Sequence, residues 1–170
     1  LRLDMYLIKH LPTRLSGLSK FERVELGEIY AAAMHRERFY TKTLKLMKQE
    51  YFTKNFSMPE DRQLYWQARM WRKKKVESTL ANVVAKITQK YPYSDAHEDI
   101  LLEVSRSYKG NNKDDIAEIW WNKLLKYFPK KRSGEIAAWE LAWYHYQQKN
   151  WQTSLKYIND GLRNGINNPE

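Results

Sequence analysis

No cysteine occurs among the 170 residues, which removes disulfides, thiolate metal sites and cysteine nucleophiles together. An exported protein that avoids oxidation fits this, and so do many cytoplasmic ones. Glycine and proline are scarce, at six and five, too few for the turns of a β-rich chain of this length. Six scattered glycines also build neither a phosphate-binding loop nor a nucleophile elbow. The four histidines, His10, His35, His97 and His145, are never three or four residues apart, so no helical metal pair exists. No metal and no cofactor are expected. No apolar run approaches the roughly 20 residues that cross a bilayer, so no transmembrane segment is expected. The stretch from Leu1 to Leu11 carries Arg2, Asp4, Lys9 and His10, unlike a signal peptide. Starting on Leu rather than Met, the chain is expected to be a mature form or an excised fragment.

What is present points to a folded, helical protein. Hydrophobic residues make up 42% and charged residues 29%, a globular balance, and the length suits one domain with a real core. Aromatics are abundant, with seven Trp, twelve Tyr and five Phe. The net charge of +10 is spread evenly: residues 1–56 hold 11 basic and 6 acidic side chains, residues 57–170 hold 19 and 14. The densest clusters are Arg72-Lys73-Lys74-Lys75 and Lys130-Lys131-Arg132. One reading places both at helix ends, where cations suit the C-terminal dipole and water. The other makes Arg72, Lys73, Lys130, Lys131 and Arg132 contacts for an anionic partner: a phosphate backbone, an acidic protein or a cell-wall polymer.

An internal repeat organises the chain. Pro92 and Pro129 each follow an aromatic residue and lie 37 residues apart. The same interval links Ala68, Ser105 and Ala142, then Trp71, Tyr108 and His145, then Leu80, Ala117 and Ser154. Val84 and Ile87, Trp121 and Leu124, and Ile158 and Gly161 follow the last trio at i+4 and i+7. Each unit reads as a first helix with a small residue at a close approach and a bulky ring one turn later. A second helix then presents an i, i+4, i+7 stripe back to it. Polar turns join them at Lys74-Lys75-Val76-Glu77, Gly110-Asn111-Asn112-Lys113 and Gln148-Lys149-Asn150. Proline ends the second helix of the first two units.

Helix-start signals agree with these borders. Ser57-Met58-Pro59-Glu60 reads as a capping box opening a helix to about Lys74; Ser94 precedes a helix ending near Gly110, and Ser133 one running through Tyr146. One more step back gives Ala31, Met34 and Met47, inside helices expected near 19–35 and 38–53, with a short helix near 3–13 before them. No segment alternates long enough to be a strand. The expected fold is therefore all-α: a right-handed α-solenoid of about four hairpins with a 37-residue repeat. It forms one domain over 1–170, with 1–56 less regular and three clear repeats over 57–165. Asn164-Gly165-Ile166-Asn167-Asn168-Pro169 reads as a helix stop and linker. The preceding helix still carries Leu155, Ile158 and Leu162, so its outer side is expected to pack on a further repeat.

Few residues offer chemistry. His145 shares an anchor position with Trp71 and Tyr108 and reads as a packed histidine. Glycosidase chemistry needs two carboxylates in a cleft, whereas Glu135 and Glu140 read as helix-surface residues. Trp66, Trp71, Trp120, Trp121, Trp139, Trp143 and Trp151 all fall in the repeats, and Trp71 and Trp121 fill core anchors. Trp120 and Trp121 are about 100° apart on one helix, so one of them is expected to face out. Trp120, Trp139 and Tyr144 are the candidates for an exposed ring that stacks on a sugar, a peptide or a base; otherwise these rings wedge hairpins together.

The units resemble tetratricopeptide repeats lengthened by three residues, with Leu141-Ala142, Trp151, Ser154 and Ile158 at that family's Leu-Gly, aromatic, small and bulky positions. Ala117 and Pro129 match its small residue and closing proline. More specifically, Gln63-Leu64-Tyr65-Trp66-Gln67-Ala68-Arg69 resembles a segment of the superhelical domain of bacterial soluble lytic murein transglycosylases. Lys90-Tyr91-Pro92-Tyr93-Ser94 and Ala137-Ala138-Trp139-Glu140-Leu141-Ala142-Trp143-Tyr144 do so too. The resemblance covers roughly 58–160. It implies a curved helical domain of the bacterial periplasm or envelope, attached to a lysozyme-like domain that cleaves peptidoglycan. That domain's Glu-Ser and Gly-Leu-Met-Gln motifs have no counterpart: Glu77-Ser78, the one Glu-Ser pair, falls in an inter-helix turn, so no catalytic residue is assigned.

The leading expectation is thus a non-catalytic scaffold that positions a lytic transglycosylase on glycan strands or docks partners. The alternative is a free-standing adaptor, cytoplasmic in that case, binding an acidic or peptide partner in its groove. Nucleic-acid binding ranks third because the positive charge is spread evenly.

Overall fold

The computed structural model describes His10, Leu15 and residues 17–166. Among the described residues the fold is all-α, with no strand. Nine helices follow one another over residues 20–166: α1 (Lys20–Arg36), α2 (Tyr40–Lys48), α3 (Tyr51–Phe56), α4 (Glu60–Lys73), α5 (Glu77–Lys90), α6 (Asp95–Lys109), α7 (Asp114–Tyr127), α8 (Arg132–Gln147) and α9 (Trp151–Ile166). Apart from His10, the helix expected near 3–13 lies outside the described residues. The chain divides into two compact units, Leu1–Tyr91 and Pro92–Glu170, with the division at an aromatic-proline junction. Within each unit mainly successive helices pack together, the arrangement of an α-solenoid: α4 on α5 in the first, and α6 on α7, α7 on α8 and α8 on α9 in the second.

The 37-residue frame is written into the backbone. Each hairpin turns at a residue of positive φ: Arg38 (61°), Lys75 (58°), Asn112 (55°) and Lys149 (60°). All four turns close with the same pair of hydrogen bonds. The outer bonds run from Phe39 N to Met34 O (2.9 Å), Val76 N to Trp71 O (3.2 Å), Lys113 N to Tyr108 O (3.0 Å) and Asn150 N to His145 O (2.9 Å). Inner bonds link Arg38 to His35, Lys75 to Arg72, Asn112 to Lys109 and Lys149 to Tyr146. These are Schellman caps, which satisfy the orphan carbonyls of a helix end. The second helices of the middle repeats also end alike, Tyr91 N on Ile87 O (2.7 Å) and Phe128 N on Leu124 O (2.8 Å), each before proline.

Packing follows the same frame. Ala68, Ser105 and Ala142 are buried, as are Leu80, Ala117 and Ser154, and Thr43 and Ala31 one step earlier. The Ser154 hydroxyl donates to Ala142 O at 2.8 Å. Val84, Ile87, Trp121 and Leu124 are buried, but the match stops at Ile158. Trp71 is half-buried rather than fully in the core.

Three local expectations are corrected. The single helix expected over 38–53 is two, because Glu50 adopts φ 54° and turns the chain into α3. That turn brings Phe52 and Phe56 onto Tyr30, with ring centroids 5.9 and 5.2 Å apart. A Cβ on Gly27 would lie 2.7 Å from Phe56 Cβ, so the close approach of α1 and α3 at this point needs a glycine. Ser57 does not cap α4: it sits at φ 54° as the C-cap of α3, and Pro59 takes the N-cap position with no side-chain bond. Ser133 is buried inside the first turn of α8 rather than before it. By contrast, Ser94 caps α6 as expected, its Oγ accepting from His97 N at 3.2 Å. Ser19 and Glu22 form a full capping box on α1, and the Ser19 hydroxyl (2.7 Å) and Ser19 N–H (2.8 Å), both donating to Glu22 Oε2, hold that carboxyl below its ordinary value.

Candidate docking surface

The second unit carries two hairpins built to one plan, α6–α7 and α8–α9. In the first, the outer positions are charged: Arg106, Lys109, Asp114 and Glu118. α8 covers this side. The Lys109 ammonium pairs with the Glu140 carboxylate, His145 Nε2 lies 3.1 Å from Glu118 Oε1, and Lys131 Nζ reaches Asp95 (3.0 Å) and Glu98 (2.6 Å) on α6. The His145 ring also stacks on Tyr157 of α9, at 5.5 Å and 12°.

Adding 37 to those four positions gives Trp143, Tyr146, Trp151 and Leu155. All four are exposed, and Trp139, Ile158 and Leu162 are exposed beside them. The rings touch in series: Trp143 stacks on Tyr146 (5.5 Å, 12°), and Tyr146 meets Trp151 edge to face (4.9 Å). Where Trp121 of α7 is 3% exposed, its equivalent Ile158 is 39% exposed. α8 and α9 approach closely at Ala138 and Gly161, where a Cβ on Gly161 would lie 3.2 Å from Ala138 Cβ. Above that contact lies a groove of about 510 Å³ walled by Trp139, Tyr157, Ile158 and Leu162, with Glu135 at its side. Contiguous exposed apolar surface of this kind marks an interaction site.

No family model, curated protein or solved structure matches the chain. The site's character therefore rests on its own residues.

The structure scatters the candidates read from sequence. Trp139 is 66% exposed, but Trp120 is only 6% exposed, correcting the expectation that one of the adjacent tryptophans faces out. α7 is packed by α6 on one side and α8 on the other, so it buries two adjacent positions instead of one stripe. Lys123 Nζ lies 4.4 Å above the Trp120 ring, and burial pushes this ammonium below its ordinary pKa. Tyr144 is half-buried; burial first, then the acids Glu118, Asp115 and Asp114, push its hydroxyl up. Its neighbours there are the acids at the start of α7.

The basic clusters lie in different units. Arg72 is half-buried and Lys73 exposed in the last turn of α4, with Lys74 Nζ donating to Thr41 Oγ1 at 3.0 Å. Lys131 is committed to Asp95 and Glu98, which raise its pKa, while Lys130 and Arg132 are exposed where α8 begins.

Among the described residues no group of three His, Asp or Glu side chains is placed to hold a metal, and no helix is long and apolar enough to cross a membrane. Glu77 opens α5 as an exposed first-turn residue. His97 is buried, its Nδ1–H donating to Pro92 O (2.7 Å) between the edges of Tyr127 and Phe128. Burial holds its pKa below the ordinary value. The surface itself can bind rather than react. Its missed members, Trp143, Tyr146 and Trp151, are signalled in the sequence by the loss of charge at repeat-equivalent positions.

Proposed function

We propose that this chain is a non-catalytic helical scaffold that binds through the exposed face of its last hairpin, and that its setting is a peptidoglycan lytic transglycosylase of the bacterial envelope. The replacement of Arg106, Lys109, Asp114 and Glu118 by Trp143, Tyr146, Trp151 and Leu155 one repeat later carries the binding half of the reading. A solvated hairpin has no use for three linked rings in water, since burying them elsewhere would stabilise the fold by about 25 cal/mol per Å². The murein half is supported by the resemblance of Gln63–Arg69, Lys90–Ser94 and Ala137–Tyr144. It is also supported by Trp139, whose broad apolar ring beside the Glu135 carboxylate suits the CH face and hydroxyls of a sugar.

Co-sedimentation of the chain with purified sacculi tests it. The chain is expected to pellet, and Trp139→Ala with Trp143→Ala to weaken pelleting about tenfold, worth roughly 1.4 kcal/mol. A chain that stays in the supernatant would remove the murein setting. The alternative, a free-standing adaptor for a protein or peptide partner, is favoured by the aliphatic half of the face, Leu155, Ile158 and Leu162, which offers a sugar no hydrogen bond.

A further inference from the structure

We infer that the outer side of α9 is the seat for one amphipathic helix of a partner protein, bearing small and aliphatic residues at 4-3-4 spacing; the inference deepens the scaffold reading above and rests on it. The exposed apolar residues of α9 are Trp151, Leu155, Ile158 and Leu162, themselves spaced four, three and four apart. This is the heptad phase, which puts every member on one side of a helix and meets a partner helix lengthwise. From Trp151 to Leu162 the stripe runs about 16 Å at 1.5 Å per residue, the length of a partner segment of three turns.

The protein contains a worked example of the docking. α8 sits on α7 at the equivalent place, with Ser133 and Ala137 buried and Glu140, Tyr144 and His145 turned toward the charged edge. Ser133, Ala137, Glu140 and Tyr144 are again four, three and four apart. Small residues thus come first, allowing close approach, and longer ones follow. Across α6 and α7 the longer ones answer Lys109, Asp114 and Glu118. Across α8 and α9 the same places are Tyr146, Trp151 and Leu155, so the helix that fits must carry apolar residues where α8 carries Glu140 and His145. Gln152, Lys156, Asn159 and Arg163 flank the stripe, so a partner helix that borders its apolar residues with Asp or Glu is complemented. Leu155, Ile158 and Leu162 themselves carry no hydrogen-bonding side-chain atom for a glycan or a polyanion, and a helix fills the equivalent place on α7, which is why a helix is the occupant argued here.

The probe is a labelled peptide copying residues 132–147 with Glu140→Leu and His145→Leu, and with Trp139→Gln and Trp143→Gln to keep its far side polar. Its comparator keeps Glu140 and His145. Fluorescence anisotropy against the full chain is expected to show saturable binding, at least tenfold weaker for the comparator. Leu155→Glu or Ile158→Glu in the chain should weaken binding tenfold or more with an unchanged circular dichroism spectrum. Ile119→Glu, an equally exposed apolar position on α7, should leave it within twofold. Absence of binding, or binding indifferent to Leu155→Glu, overturns the inference. A dimer in sedimentation equilibrium that Leu155→Glu dissolves also overturns it, because the occupant is then a second copy. Sacculus binding without peptide binding sinks this inference alone, whereas peptide binding without sacculus binding sinks only the murein setting.

Discussion

The hairpins α6–α7 and α8–α9 share a period, a turn geometry and a set of buried anchors, yet differ in what they show to water. At Arg106, Lys109, Asp114 and Glu118 the first keeps charge, and Lys109 and Glu118 pair with α8; at the same places the second is aromatic and aliphatic. The anchors are set by close packing, so Ser105 and Ala142 or Ala117 and Ser154 stay small and buried in both. The outer positions are free of that constraint. A departure from polarity there has no folding reason, and is where a repeat protein records what it binds.

Four changes would break or sharpen this comparison. The largest effect is expected at the joint between the hairpins. A Cβ on Gly134 would lie 2.1 Å from Phe128 O and 3.0 Å from Pro129 Cα, so Gly134→Ala must push α8 away from backbone that cannot yield. Urea denaturation should show a loss of about 3 kcal/mol, at the upper end for overpacking. Next, writing the first hairpin's charges onto the second, as Trp143→Arg, Tyr146→Lys, Trp151→Asp and Leu155→Glu together, should abolish helix-peptide and hydrophobic-dye binding. Stability should move by less than about 1 kcal/mol, because all four side chains are exposed. A large loss would mean the rings hold the hairpin rather than a partner.

A smaller gain is expected from Lys149→Gly. A lysine at φ 60° carries the left-handed penalty of about 1 kcal/mol that glycine escapes, so the melting temperature should rise by the equivalent of about 0.5 kcal/mol after glycine's extra chain entropy. The least effect is a slope with pH. His97 titrates lower in the fold than its ordinary 6.5 because it is buried. The unfolded chain therefore takes up the proton first, and stability should fall as pH drops below about 6.5. His97→Gln should flatten the slope of melting temperature against pH in that range.

Much of the fold was legible because its signals are redundant. The interval from Ala68 to Ser105 to Ala142 is one that prolines, rings and turns all repeat, and outside 38–56 the expected borders of the hairpin helices lie within about two residues of the observed ones. What stayed hidden were positions where one residue serves two neighbours. Ser57 could cap α4, but it is already spent in the left-handed turn that ends α3. Glu50 gives no hint of a break, since a glutamate ordinarily favours helix, and only the packing of Phe52 and Phe56 on Tyr30 offsets its strained backbone. Trp120 reads as a candidate for exposure only while α7 is given one buried stripe, whereas a helix between two others has two. The candidate surface was half legible. Trp139 was singled out, and the stripe of Leu155, Ile158 and Leu162 was seen to need a cover, but Trp143, Tyr146 and Trp151 appeared only when charged positions were compared across the period.

The left-handed joints at Arg38, Lys75, Asn112 and Lys149 have a consequence for how such a chain can change in length. Each joint fixes the phase of the helix that follows, and every added residue in a helix rotates what comes after by about 100°. An insertion of one or two residues between joints would turn a buried stripe toward water, while an insertion of 37 would return every side chain to its place. Lengthening is therefore tolerated in whole quanta only, and the quantum is the hairpin.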